Sequence, residues 1–371
     1  MARTLKSDKL LFWATVLLVG VSLVMVYSAS AVQSLETFKV PYFFLLKQGI
    51  WAVIGFGLLW VAMRIDYHRF SQPAFLWSVL GVVVFALCCV FLFPPRNKTY
   101  RWLQFGPVSI QPSEFAKLAA IFFATALLER RMHRINDVKY ALLPVAIVTF
   151  GLASLVVLQP DFGTAAMIVA VVTAIAFAAG LSYRYFIGTV IALVPIAAAL
   201  IIAAPYRLQR FLIFLDPWRD PLHSGFQIIQ SLIAVGSGGM TGKGLMQGVQ
   251  KLFYIPEPYN DFIYAVISEE LGLLGASAIL ICFLVIAWRG LRTSLLAPDR
   301  FGALLALGLT LMVAVQALVN ISVVIALLPT KGIPLPFISN GGSSLLTNLI
   351  AMGVLLNISQ QSGTKAAGVT V

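Results

Sequence analysis

Residues 254–272 read YIPEPYNDFIYAVISEELG. A proline-bounded turn carries Asp261 to the mouth of an apolar helix, and Glu269 and Glu270 sit about two turns inside it. Carboxylates at membrane depth are costly, and they mark sites that handle protons, ions or a polar substrate. Three of them within ten residues do not suit a lipid-facing surface.

The flanking sequence supplies the membrane context. Of 371 residues, 60% are hydrophobic and only 11% charged, against about 25% charged in soluble domains; the mean hydropathy is +0.93. Continuous apolar runs recur at 10–28, 44–63, 74–93, 114–128, 141–158, 164–181, 185–203, 262–288, 302–328 and 343–358. Each approaches the length that crosses a roughly 30 Å hydrocarbon layer. The runs do not alternate in polarity, which excludes an outer-membrane barrel. The expected fold is therefore an all-α polytopic membrane protein, one integral domain over 1–371 with about ten transmembrane helices. A long extracytoplasmic loop, about 205–260, joins helices seven and eight, and a disordered tail follows at about 360–371. The first run is too long for the core of a cleavable signal, although Ser28–Ala31 mimics a cleavage site. Cys88, Cys89 and Cys282 fall inside spans as small packing residues.

Lys and Arg in the short loops set the orientation. Arg130, Arg131, Arg134 and Lys139 fill one such loop, Arg289, Arg292 and Arg300 another, and Lys9 precedes the first span. With ten spans, both termini are expected on the cytoplasmic side of the membrane. The formal net charge of +12 follows largely from this bias and from anionic membrane lipid. With no basic helix and no stacking platform outside the membrane, nucleic acid is excluded as a partner. Basic residues on the opposite side run against the bias: Arg96, Lys98 and Arg101 after span three, Arg207, Arg210, Lys243 and Lys251 in the long loop, and Lys331 before span ten. They either answer an anionic ligand or pair with nearby acids.

Each constellation carries a plain reading beside a chemical one. Asp261 is either a helix N-cap or a general base at an aqueous rim. Glu269 and Glu270 point about 100° apart, so one is expected to line the interior while the other pairs with Lys117 or Lys331. Glu114 and Lys117 share a helix face at i,i+3, as an ion pair or with the lysine aimed at a phosphate. Asp161 suits a cap for span six. Gln227–Val235 is a short amphipathic helix, and the glycines from Gly236 to Gly248 permit sharp turns or close backbone approach. The segment 328–344, LPTKGIPLPFISNGGSS, containing Lys331 and Ser343, is broken by Pro and Gly. Such backbone is tolerated at membrane depth only under a protein or aqueous cover, so it is expected to line the cavity that Asp261 faces.

Five of these segments, NKTYRW (97–102), QPSEFAK (111–117), QPDFGTA (159–165), 254–272 and 328–344, resemble in order and spacing the SEDS (shape, elongation, division and sporulation) family over nearly the whole chain. Gln250–Tyr254 and Leu328–Gly332 resemble its division branch more than its elongation branch. The resemblance implies a peptidoglycan glycosyltransferase that polymerises lipid II at the outer face of the membrane. It implies partnership with a class B penicillin-binding transpeptidase and other division proteins, and a divalent cation (Mg or Mn) without a visible ligand cluster. The family's catalytic acid falls on Asp261, and its polar motif positions fall on Arg101, Glu114 and Lys117. Arg210 and Lys243 are added as substrate-binding candidates by loop position, with Glu269, Lys331 and Ser343. The chain departs from the family at Tyr259-Asn260, where His-Thr is usual, and at Asn340, where Tyr is usual. A lipid II flippase or proton-coupled transporter, using the intramembrane acids as a relay, is the rival expectation.

Overall fold

The structure, a computed structural model, describes residues 7–95, 99–106, 108–223 and 225–366. Among these lie twelve α-helices: α1 (Lys9–Phe38), α2 (Phe43–Arg64), α3 (Pro73–Cys89), α4 (Pro112–Arg131), α5 (Leu143–Leu158), α6 (Phe162–Ala178), α7 (Tyr183–Ile202), α8 (Pro205–Leu215), α9 (Phe226–Ser237), α10 (Ile263–Leu296), α11 (Arg300–Val324) and α12 (Gly342–Ala366). Local chemistry sets many starts. Proline occupies the first turn of α3, α4, α5 and α8, where its missing N–H costs nothing. Asp8, Asp161 and Asp299 cap α1, α6 and α11 through backbone N–H groups.

A helix stands at each of the ten expected spans, and eight helices are long and apolar enough to cross a membrane. The exceptions have physical reasons. At 17 residues α6 is about 25 Å long. In α4, Glu114 and Lys117 lower the hydropathy, but the helix lies inside the bundle, buried on almost every face between α3, α5, α6, α11 and α12. By contrast α7 buries no residue. The long loop is more ordered than expected: α9 covers the anticipated amphipathic segment, and α8 had no counterpart in the sequence reading. The expected disordered tail, 360–371, is helical through Ala366 because α12 continues; residues 367–371 lie outside the described residues.

The decisive local feature is a break in α10. Gly272 has φ +65 and ψ −165, which no helical residue adopts. The backbone groups released there are taken up by the glycine-rich stretch. Lys243 N–H and Gly244 N–H donate to the carbonyls of Glu269 and Glu270 (3.0 Å each), while Leu273 and Leu274 N–H donate to Gly239 and Met240 (2.9 and 3.1 Å). Residues 239–244 therefore form a strap across the break. The approach demands glycine: a Cβ on Gly242, at φ +82, would meet the Glu270 carbonyl oxygen at 2.1 Å. At Gly239, φ is +55 but the surroundings are open.

Gly242→Ala is therefore expected to lower the thermal unfolding midpoint in detergent well beyond Gly239→Ala, which meets only the left-handed backbone penalty of about 1–2 kcal/mol. Equal midpoints would mean that the strap is not packed on the break.

Candidate active site

At the end of the bundle where α4, α6, α10 and α12 begin, a cavity of about 360 Å³ opens, a size typical of small-molecule sites. Three separate loops and Lys47 of α2 build its charged lining. The antiparallel hairpin β1 (Leu103–Phe105) and β2 (Val108–Ile110) runs between Arg101 and Gln111. Arg101 donates through Nε to the Gln159 carbonyl (3.2 Å) and through Nη2 to the Pro160 carbonyl, which fixes its guanidinium on the α5–α6 turn. Arg210 of α8, Gln227 of α9 and Lys331 complete the rim. Burial lowers the Lys331 pKa.

Asp261 lines this cavity together with Glu257. It is not the cap of α10: the N-cap position is Phe262, and no side chain caps the helix. Among the described residues nothing donates a hydrogen bond to the Asp261 carboxylate. Burial pushes its pKa up to about 7, and the Glu257 charge adds to the rise. Arg101 opposes the shift, Asp161 adds to it, and Arg210 opposes it. Its main chain is firmly held: Asn320 Nδ2 of α11 donates to the carbonyls of both Asp261 and Ile333 (2.8 Å each). Ser339 Oγ donates to the Asn260 carbonyl (2.7 Å) and Asn340 N–H to that of Tyr259 (2.9 Å). Gly332 leaves the gap in front of the acid open, since a Cβ there would stand 3.1 Å from Asp261 Oδ2 and 3.8 Å from Arg101 Nη1.

The structure gathers Asp261, Arg101, Arg210 and Lys331 around one cavity and places the other expected site residues elsewhere. Glu269 is fully buried, accepting from Lys243 Nζ (2.7 Å) and from Val249 and Gln250 N–H (2.9 and 3.1 Å). Its neighbour Glu270 binds Lys251 Nζ (2.6 Å), Ser28 Oγ (2.7 Å) and Met246 N–H (3.0 Å). Both glutamates thus pair, with Lys243 of the strap and Lys251 beyond it instead of Lys117 or Lys331. Glu114 and Lys117 form a buried ion pair at 2.9 Å, and Lys117 also donates to Gln316 Oε1 (2.6 Å). Ser343 Oγ accepts from Gln111 N–H (2.9 Å), joining α12 to the start of α4. Asp161 is occupied as the cap of α6. Arg96 and Lys98 lie outside the described residues.

Glu257, Asn320 and Lys47 are site residues that the sequence reading missed. The PEP turn containing Glu257 offered a signal; an amide in the middle of an apolar helix did too, since it needs a partner. Among the described residues no three His, Cys, Asp or Glu side chains converge to hold a metal. Glu257 and Asp261 do supply two carboxylates in one cavity, the kind of donor set by which a hard cation is shared with substrate phosphates.

Bundle and cavity together define a polytopic helical membrane protein with a cavity at one end where Asp261, whose carboxylate accepts no hydrogen bond among the described residues, stands with Glu257 among cations. The chain belongs to the FtsW/RodA/SpoVE family of cell cycle proteins, whose family model matches residues 9–364. It is 43% identical over 360 residues to stage V sporulation protein E of Bacillus subtilis, covering 96% of this chain and 97% of that protein. It is 40% identical over 357 residues to a probable peptidoglycan glycosyltransferase FtsW of Geobacter metallireducens, covering 95% and 94%. A solved chain from a peptidoglycan synthase complex that coordinates polymerization and crosslinking aligns with a TM-score of 0.79 at 29% identity, over 97% of this chain and 99% of that one. Thermus thermophilus RodA shares the fold, with a TM-score of 0.70 at 24% identity over 96% and 97%.

Lys251→Met strands the Glu270 charge and is expected to destabilise the protein by about 3–5 kcal/mol, whereas adding Glu270→Met recovers much of the loss. Thermal unfolding of the single and double variants checks this. A single variant as stable as the wild type would remove the ion pair from the fold's support.

Proposed function

We propose that the chain is a peptidoglycan glycosyltransferase that polymerises lipid II at the outer face of the bacterial cytoplasmic membrane, with both termini cytoplasmic. The observation that carries the reading is Asp261, an unbonded acid of pKa about 7 facing a cavity rimmed by Arg101, Arg210 and Lys331. A base with that pKa is half-ionised at neutral pH, where general-base catalysis is most effective. Asp261 takes the proton of the acceptor sugar's 4-hydroxyl as that oxygen attacks the donor's anomeric carbon. The new glycosidic bond forms opposite the breaking bond to the polyprenyl pyrophosphate, so the centre inverts. Arg101, Arg210 and Lys331 meet the charge that develops on the departing pyrophosphate. A divalent cation, when held by Glu257 and Asp261, would neutralise part of that charge. The backbone of the Asp261 turn, fixed by Asn320, keeps the base aimed at the cavity.

The transporter alternative relied on intramembrane acids available to relay protons. Glu269 and Glu270 are closed in ion pairs with Lys243 and Lys251, which favours the polymerase. Similarity to FtsW and membership of the cell cycle family support a role in septal wall synthesis, alongside other division proteins. Similarity to a complex that couples polymerization with crosslinking supports a class B penicillin-binding transpeptidase as partner.

Asp261→Asn is expected to keep the fold and lose about 10²–10⁴-fold of glycan formation from purified lipid II, assayed with and without the transpeptidase and a divalent cation. Unchanged turnover would end the assignment. The base works only when ionised, so the wild-type rate should rise with pH through about 7 and then level off. Glu257→Gln removes a charge that raises the Asp261 pKa and is expected to shift that rising limb to lower pH; a limb that stays in place would exclude coupling between the two acids.

A further inference from the structure

A second cavity, of about 230 Å³, lies where the start of α1 meets the ends of α10 and α12. This is the opposite end of the bundle from Asp261. Along α12, Ser344 lines the first cavity and Ser362 the second, about 27 Å apart at the helical rise, close to the roughly 30 Å of a hydrocarbon layer. The second cavity therefore stands at headgroup depth on the other membrane face.

Its chemistry suits an anion. Lys9, Arg289 and Arg292 line it against one carboxylate, Asp8. That carboxylate is already committed: Arg289 Nη2 and Nε both meet Asp8 Oδ2 at 2.6 Å, and Asp8 Oδ1 caps α1 by accepting from Leu11 N–H (3.2 Å). Lys9 and Arg292 have no acidic partner among the described residues. Hydroxyls of Ser7, Thr293, Ser359 and Ser362 fill the wall between them. The positive-inside bias explains why cations are present at this end. It does not explain their convergence, with four hydroxyls, on one recess. The volume is small for a nucleotide or sugar and adequate for a phosphate group.

We propose that this pocket binds a phosphate anion, supplied by the headgroup of an anionic phospholipid of the facing leaflet; inorganic phosphate shares the same chemistry. Arg292 and Lys9 make the charge-assisted contacts; Thr293, Ser359 and Ser362 donate to the carbonyls of Arg289, Leu356 and Ser359, and each hydroxyl turns from its carbonyl to donate to the bound anion. Bound there, the headgroup ties the first turn of α1 to the last turns of α10 and α12.

The test uses the full chain in phosphatidylcholine nanodiscs, following the thermal unfolding midpoint as phosphatidylglycerol is added, and separately as inorganic phosphate is added. The double variant Lys9→Gln/Arg292→Gln is compared with Lys139→Gln/Arg184→Gln, which removes the same charge at the same end but away from the pocket. Expected is a saturable rise with phosphatidylglycerol in wild type and control, and an apparent dissociation constant at least about tenfold weaker in the pocket variant. A saturable rise with inorganic phosphate, lost in the pocket variant alone, would keep the site and make its ligand a soluble anion. Equal responses in the two double variants would mean diffuse surface attraction and overturn the proposal. A wild type indifferent to both phosphate sources would overturn it as well.

Discussion

A helix broken inside a membrane releases backbone N–H and C=O groups that lipid cannot satisfy, and α10 is broken at Gly272. The strap 239–244 supplies the missing partners, while Lys243 and Lys251 neutralise the two glutamates that the break brings inside. The elements are mutually dependent. Without the glycines the strap cannot approach; without the strap the break is unsatisfied; without the lysines the glutamates are buried charges. What this arrangement secures is the short half of α10, Ile263–Leu271, whose residues are almost all buried. Asp261 stands at the head of that half.

The acid is consequently suspended between two interrupted segments. The turn before α10 and the loop 330–341 are bound together by Asn340, Ser339 and, from α11, Asn320, and among the described residues these hydrogen bonds all go to backbone carbonyls of Tyr259, Asn260, Asp261 and Ile333. The Asp261 carboxylate is left for whatever enters the cavity. Burial and Glu257 raise the proton affinity of that carboxylate, and Arg101 and Arg210 restrain the rise. A single arginine clamp on Asp261 would have produced a low-pKa anion with its oxygens already used. Holding Arg101 on the carbonyls of Gln159 and Pro160 keeps a cation nearby without consuming the base.

Hydropathy made the bundle legible because lipid contact imposes apolarity on any span that faces it. It understated α4, whose surroundings are protein and which carries a buried ion pair. Glu269 and Glu270 were legible as costly residues, but their partners were not. Lys243 and Lys251 lie 26 and 19 residues upstream, in a loop whose return into the bundle depends on glycine close approach, a three-dimensional event with no periodic signature. The Gly236–Gly248 run read as backbone suited to close approach, and the surface it approaches is a helix of the same chain instead of a ligand. Asp261 was ambiguous between cap and base for a local reason: both roles favour Asp at a helix mouth, and only the backbone angles put Phe262 in the cap position.

The buried polar residues of α4 act differently from those of α10. Glu114 and Lys117 neutralise each other at 2.9 Å, and a buried pair of this kind contributes little net stability over apolar residues of equal volume. Its effect here lies in direction. Lys117 holds Gln316 Oε1, leaving the Gln316 amide to donate to the Pro334 carbonyl at 2.9 Å. Glu114 stands 3.4 Å from Thr347 Oγ1 of α12, a hydroxyl that also donates to the Ser343 and Ser344 carbonyls at 3.0 Å. One pair thus touches α11 and α12 and, through Gln316, the broken loop. An apolar replacement could pack as densely, but it would specify neither the orientation of Gln316 nor the depth of Pro334, which lines the Asp261 cavity. The motif positions Glu114 and Lys117 therefore act on the cavity through its wall, while Arg101 and Asp261 act within it.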